Sequence, residues 1–255
     1  MGIVNLSSDS FSGDGCAGDS ARAIAHGLRL VEEGADLLDL GAESSRPGAT
    51  PVSASEEMDR LLPVLVGLRS CGVPISVDTV KPEVMRAACA AGASMINDIQ
   101  ALEAPGALEA AASATAAVCL MHMQGTPATM QQAPRYDDVV QEVYDYLARR
   151  LEAALAAGIA RERLVVDPGF GFGKTLEHNL ALLRQLDRFK ALGVTLLVGL
   201  SRKSMLGAIT GRPVGERLNA SVAAAMLAAQ RGAAILRVHD VAATRDALKL
   251  LEALS

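Results

Sequence analysis

The sequence predicts a single (β/α)8 barrel, the TIM-barrel class of α/β fold, with residues 1–255 forming one domain. Three observations carry this. Short apolar runs alternate eight times with longer segments of helical character, with no inserted domain or linker between them. Glycines at 34, 72, 92, 158, 193 and 232 stand between a helical segment and the next apolar run, where a left-handed helix cap is expected. Several runs end in polar side chains, as in Leu164-Val165-Val166-Asp167, Ser76-Val77-Asp78 and Met95-Ile96-Asn97-Asp98. An open doubly wound sheet is the alternative. It would normally use fewer strands, and no dinucleotide fingerprint follows Leu6.

The elements follow in order. The first strand is expected at 2–6 and its helix at about 20–33. The second strand, 36–40, precedes a helix at 53–69, where Ser53 followed by Glu56 forms a capping box. The third strand, 74–78, leads into a helix opened by Lys81-Pro82-Glu83, with proline in its first turn. The fourth strand is 94–97 and its helix 105–112. The fifth is 117–121, followed by a loop and a long helix at 136–157. The sixth, 163–167, runs into a glycine-rich loop and a helix at 176–189. The seventh, 195–199, is followed by a short helix starting near Ser204 and a longer one at 217–230. The eighth strand is 233–238 and the last helix 242–253.

Composition narrows the function. Half the residues are hydrophobic and few are aromatic, so the core is aliphatic and alanine-rich. Net charge is −5, and the most basic patch is the short Ser201-Arg202-Lys203-Ser204. That argues against nucleic acid and suggests only a small anion. The four cysteines (Cys16, Cys71, Cys89, Cys119) have no paired spacing, which fits structural thiols in a reducing, cytoplasmic compartment. No signal peptide precedes the first strand, and no apolar run reaches the roughly 20 residues of a membrane span.

In such a barrel the active site lies at the carboxyl ends of the strands, so the strand-end residues form a site list. They are Asn5, Asp39 and Glu43, Asp78, Asn97 and Asp98, Met121 and His122, Asp167, Lys203, and Arg237 with His239. A lone strand-end aspartate is often a helix cap. Acidic or amide groups on strands three, four and six together point instead to a converging set of acceptors, with Lys203 as donor. Arg237 and His239 are two apart on one strand and so point the same way. Arginine grips phosphate bidentately. No Ser/His/Asp or Cys/His arrangement offers an activated nucleophile.

The segments MGIVNLSSDSF, DLGAESSRPGA, ISVDTVKPEV, INDI, LMHMQGTPATMQ, DPGFGFGK, LVGLSRKS and RVHDV occur in that order between Met1 and Val241. With them the chain resembles the dihydropteroate synthase family of pterin-binding barrels. The resemblance implies an alkyl transfer in folate biosynthesis. Here p-aminobenzoate and 6-hydroxymethyl-7,8-dihydropterin diphosphate give 7,8-dihydropteroate and pyrophosphate with Mg2+, by an SN1-like path. It implies catalytic roles for Asp78, Asp167, Lys203, Arg237 and His239. The pterin would be held by Asp78, Asn97, Ile99, Met121, Asp167, Phe172 and Lys203. The diphosphate would meet Asn5, Arg46, Arg237 and His239, with Asn5 also at the metal. The p-aminobenzoate would meet Phe11, Ser45, Pro47, Lys203 and Ser204, and sulfonamides would compete there. A homodimer through the alanine-rich helices after strands six to eight is also expected.

The pattern departs from the family in places. Ser7-Ser8 stands where most members have Thr-Pro, Gly13-Asp14-Gly15 replaces Asp-Gly-Gly, Ala42 replaces glycine and Ser45 a common threonine. The chain begins at the first strand, without the usual amino-terminal extension. A pterin-dependent methyltransferase barrel would share the Asp…Asn…Asp set but should lack SRKS and RVHDV. A catalytically silent pterin-binding homologue is the other alternative.

Overall fold

The computed structural model describes residues 1–6, 19–44 and 51–254. Eight strands run parallel in sequence order: β1 (Gly2–Asn5), β2 (Leu38–Gly41), β3 (Ile75–Asp78), β4 (Met95–Asp98), β5 (Ala117–Met121), β6 (Leu164–Asp167), β7 (Thr195–Val198) and β8 (Ile235–Leu236). The array is curled. Gly2 makes a parallel bridge to Val238, Ile3 N donates to Val238 O at 3.1 Å, and Val238 N donates to Met1 O at 2.9 Å. The helices are α1 (Ser20–Glu32), α2 (Ala54–Leu68), α3 (Pro82–Ala91), α4 (Ala107–Ala112), α5 (Val139–Ala156), α6 (Leu176–Arg184), α7 (Ser204–Thr210), α8 (Leu218–Gln230) and α9 (Val241–Ala253).

Most predicted elements fall within one to three residues of these bounds. Pro82 is the first residue of α3, and Gly92 ends that helix at φ 109°. Ser53 caps α2 by accepting from Glu56 N at 3.2 Å, while the Glu56 carboxylate turns to Arg60. Two expectations need correction. The helix expected at 176–189 stops at Arg184, and Leu186–Leu192 continues as a 3-10 helix. Leu186, Phe189 and Leu192 are all buried. Their spacing of three lines them up along one edge of a 3-10 helix, where an α-helix would fan them over about 120°. The eighth strand is only two residues long because the chain there divides its bonds. Arg237 N donates to Val198 O of β7, while Val238 N reaches Met1 O on the other side.

Strand parity sorts the core into two shells. Leu38 and Leu40, Val77, Ile96, Val118 and Leu120, Val166, Val198 and Leu236 pack with helix side chains in one large cluster. Met95, Cys119, Val165 and Leu197 form a separate cluster with Met1, Leu37, Ala117 and Ile235. The second set lies on the opposite strand face, inside the curl. Side chains alternate with period two, so the next inward residue along each strand lies directly above this apolar plug. Those residues are Asp39 after Leu37, Asn97 after Met95, Met121 after Cys119, Asp167 after Val165 and Arg237 after Ile235. The apolar plug therefore forms the floor of a polar layer at the carboxyl ends of the strands.

Elsewhere, Lys81 ties Glu43 to Glu57, joining the end of β2 to the starts of α2 and α3. Cys71, Cys89 and Cys119 are free thiols. Among the described residues no helix is long and apolar enough to cross a membrane.

Candidate active site

Three carboxyl-end residues meet around one guanidinium. Asp78 and Asn97 are paired in register on β3 and β4, and Asp39 lies inward on β2. Arg237 Nε donates to Asp39 Oδ2 at 2.6 Å, and its Nη2 donates to Asp78 Oδ2 at 3.3 Å. Asn97 Nδ2 donates to the same Asp39 oxygen at 3.4 Å. The Asp39 side chain is fully buried, whereas that of Asp78 keeps 16% of its surface open. Burial pushes the Asp78 carboxyl up to about 7; Arg237 pulls it down, and Asp39 adds to the rise. For Arg237, burial opposes the charge, but Asp39 and Asp78 outweigh it and hold the guanidinium above its ordinary value.

The loop after β6 supplies the facing wall. Asp167 Oδ1 accepts from Gly169 N at 2.7 Å, so one oxygen shapes the turn. Gly169 has φ 70°, and a Cβ there would collide with the His122 carbonyl oxygen. Glycine is required for conformation and for space. Lys203 Nζ donates to Phe170 O and lies 4.8 Å from the centre of the Phe172 ring. Burial lowers the Lys203 ammonium to about 8, with Asp167 opposing. Burial raises Asp167, and Lys203 draws it back. Gly199, just after the end of β7, lies next to both Lys203 and Arg237. Arg237 influences Asp78, Asp167 and Lys203 alike, so these groups form one electrostatic unit.

The other expected residues divide. Ile99 and Met121 are buried beside this layer. Asn5 ends β1 level with Gly41 and is partly exposed. His239 Nδ1 lies 2.9 Å from Ser201 Oγ. Ser204 is exposed and opens α7 directly after Lys203. Phe11, Ser45, Arg46 and Pro47 lie outside the described residues. Within the basic patch, Arg202 is paired with Asp240 at 2.7 Å, which leaves Lys203 as its contribution to the polar layer. Asp98 points away from the site. Its carboxylate accepts from Gln100 N at 2.7 Å and Leu102 N at 2.9 Å, capping a turn in which Ala101 and Leu102 have positive φ. Glu43 is engaged with Lys81.

Two residues had no role in the sequence reading. Lys174 is buried, and its Nζ donates to Gly169 O at 2.9 Å and Phe172 O at 3.0 Å, and meets His122 Nδ1 at 2.9 Å. It pins the β6 loop against the end of β5. Burial, then Lys174, depress His122 to about 2, so the imidazole is neutral. His178 belongs to a capping box with Thr175 at the start of α6. Asp39 stood on the strand-end list, but with no role of its own. The signal was its strand parity, which puts it indoors. Nothing local in the sequence marked Lys174 beyond its place after three glycines.

The layer thus offers carboxylate and amide acceptors on β3, β4 and β6, an ammonium across from them, and a guanidinium between. A flat heterocycle with an N–H edge and a carbonyl edge matches such a set. Comparison with known proteins agrees. The family model for pterin binding enzymes matches residues 1–239. The dihydropteroate synthase of Escherichia coli (strain K12) is 50% identical over 254 residues, covering 99% of this chain and 90% of that protein. A crystal structure of the Yersinia pestis dihydropteroate synthase in a sulfonamide drug complex has a TM-score of 0.97 at 48% identity, covering 100% of this chain and 93% of that one. The Xanthomonas albilineans dihydropteroate synthase with 4-aminobenzoic acid has a TM-score of 0.93 at 57% identity, covering 100% and 92%. With this identity along nearly its whole length, the chain belongs to the pterin-binding enzyme family and, within it, to the dihydropteroate synthases.

Proposed function

We propose that this protein condenses p-aminobenzoate with 6-hydroxymethyl-7,8-dihydropterin diphosphate, releasing pyrophosphate and 7,8-dihydropteroate. The observation that carries the reading is the set of Asp78, Asn97, Asp167 and Lys203 above the apolar plug, in a chain half identical to a dihydropteroate synthase. In this reading the strands close into one (β/α)8 barrel forming a single domain. The backbone bonds between β1 and Val238 support closure.

The pterin lies flat between Met121 and Phe172, with Ile99 beside it. Its amino and N–H edge donates to Asp78, Asn97 and Asp167, and its carbonyl edge accepts from Lys203. The amine of p-aminobenzoate is neutral at pH 7 and needs no general base. The barrier is loss of the diphosphate, so the residues act by stabilising charge rather than by moving protons. Arg237 and His239, with Arg46, are the cationic and donor groups for the leaving diphosphate. Asp78 and Asp167 tolerate positive charge on the pterin as the bond breaks. Asn5 offers one neutral oxygen at the mouth, and among the described residues no cluster of His, Cys, Asp or Glu could hold a metal alone. This donor set fits Mg2+ held mainly by diphosphate oxygens and water, where it would neutralise leaving-group charge. Ser204, Phe11, Ser45 and Pro47 complete the p-aminobenzoate site, and sulfonamides compete for it. The reading places the enzyme in the cytoplasm, as a homodimer.

The test is incubation with both substrates and Mg2+, following dihydropteroate and pyrophosphate together. Both should appear in equal amounts. Pterin binding without turnover would identify a silent homologue instead.

A further inference from the structure

Arg237 faces two obligations that conflict. It donates to Asp78, the carboxylate assigned to the pterin's N–H edge, and it is also assigned to the leaving diphosphate. When the pterin enters, Asp78 must exchange the guanidinium for the ligand. A guanidinium released without a second anchor would either follow Asp78 or swing towards solvent.

Asp39 supplies that anchor. Its Oδ2 takes the Arg237 Nε at 2.6 Å, against 3.3 Å for the bond to Asp78. The same oxygen accepts from Asn97 Nδ2 at 3.4 Å. Asp39 is a fully buried member of the polar layer, with no side-chain surface open to the cleft. Its other oxygen, Oδ1, has no hydrogen-bond partner among the described residues, so the anion is held in place chiefly for Arg237. A buried carboxylate is costly unless paired, which makes this pair a strong constraint on both partners.

We propose that Asp39 is a positioning residue for the reaction. It fixes Arg237 in both the empty and the loaded site, so that Asp78 is released to the pterin while the guanidinium stays aimed at the diphosphate. The proposal rests on the pterin reading above. It has an electrostatic signature as well. Asp78 is faced by Arg237 from the end of β8, Asp39 from β2, Glu57 from α2 and Asp98 from β4. Of the three anions, Asp39 is the one that shares Arg237 with it. Neutralising Asp39 leaves the whole guanidinium charge to Asp78. The carboxyl should then titrate lower and hold Arg237 harder.

The test uses the substitution Asp39→Asn, isosteric and uncharged, with the diphosphate-free 6-hydroxymethyl-7,8-dihydropterin as probe. Affinity is measured by calorimetry from pH 5 to pH 9, and folding is checked by thermal melting. The expected result is affinity about tenfold weaker near pH 7.5, the usual scale for losing one charge-assisted contact, with the acid limb moved to lower pH. Unchanged affinity, or equal weakening at every pH with the limb in place, overturns the proposal. The latter is what a packing role alone would produce. If Asp39→Asn does not melt cooperatively, the comparison is Arg237→Met against the double variant Asp39→Asn/Arg237→Met. Removing both charges of a buried pair is far better tolerated than removing one. Equal pterin affinity for these two, within about twofold, supports action through Arg237; a further tenfold loss in the double variant overturns it. A wild-type chain that binds no pterin would instead refute the functional reading on which the proposal stands.

Discussion

At the scale of single residues, chemistry follows from which charges are buried together. Asp167 has one oxygen committed to Gly169 N and the other available. Asp167→Asn can keep the first bond but presents an N–H to the pterin's N–H edge. We expect the loss in pterin affinity to correspond to about 1–3 kcal/mol, with little change in melting temperature. Undiminished affinity by calorimetry would remove Asp167 from the site. The pH dependence follows from two neighbours with opposite signs. Asp78 binds as the carboxylate and is raised to about 7, so affinity should fall as pH drops through that value. Lys203 binds as the ammonium and is lowered to about 8, so affinity should fall again as pH rises past it. A narrow maximum between the two is expected in a pH series of pterin titrations. A profile flat from pH 6 to pH 9 would contradict it.

At the scale of elements, the loop between β6 and α6 is the part of the site under most constraint. It turns through glycines with positive φ at 169, 171 and 173, and Lys174 then folds back to hold the carbonyls of Gly169 and Phe172. Lys174→Met removes the donor and leaves buried acceptors unpaired. We expect a loss of about 3 kcal/mol in urea unfolding, and weaker pterin binding although Lys174 is not among the pterin residues. Wild-type stability would show that the lysine is dispensable. Gly169→Ala adds a methyl where the His122 carbonyl already sits, in a backbone region that alanine avoids. The expected outcome is loss of pterin binding in protein that, if folded at all, melts well below wild type. Retained binding would mean that the loop can be rebuilt around a side chain.

At the scale of the whole molecule, one helix remains underused. The sequence of α8 contains no charged residue, yet Leu218 and Leu227 are each 42% exposed. A helix that is apolar all round is normally covered on every side. In the proposed homodimer a second copy covers α8. Sedimentation at micromolar concentration should find a dimer, and Leu227→Lys should yield a monomer with an unchanged circular-dichroism spectrum. A monomeric wild type would end the proposal.

The sequence by itself determined the alternation of eight strands and helices, the carboxyl-end residue list and the family. Each of these depends on local patterns: period-two and period-3.6 hydrophobicity, glycine caps, and motifs read within a few residues. Tertiary structure decided what local pattern cannot encode. It separated Asn97 from Asp98, adjacent in the chain, by sending one to the cleft and the other to cap a turn. It turned the last third of a predicted helix into a 3-10 segment that lines up Leu186, Phe189 and Leu192 on one buried edge. It also joined Asp39 to Arg237 across 198 positions of sequence. Such a pair leaves no trace in either neighbourhood, because the energy that fixes it comes from burying both charges in one place, and only the closing of the fold brings them there.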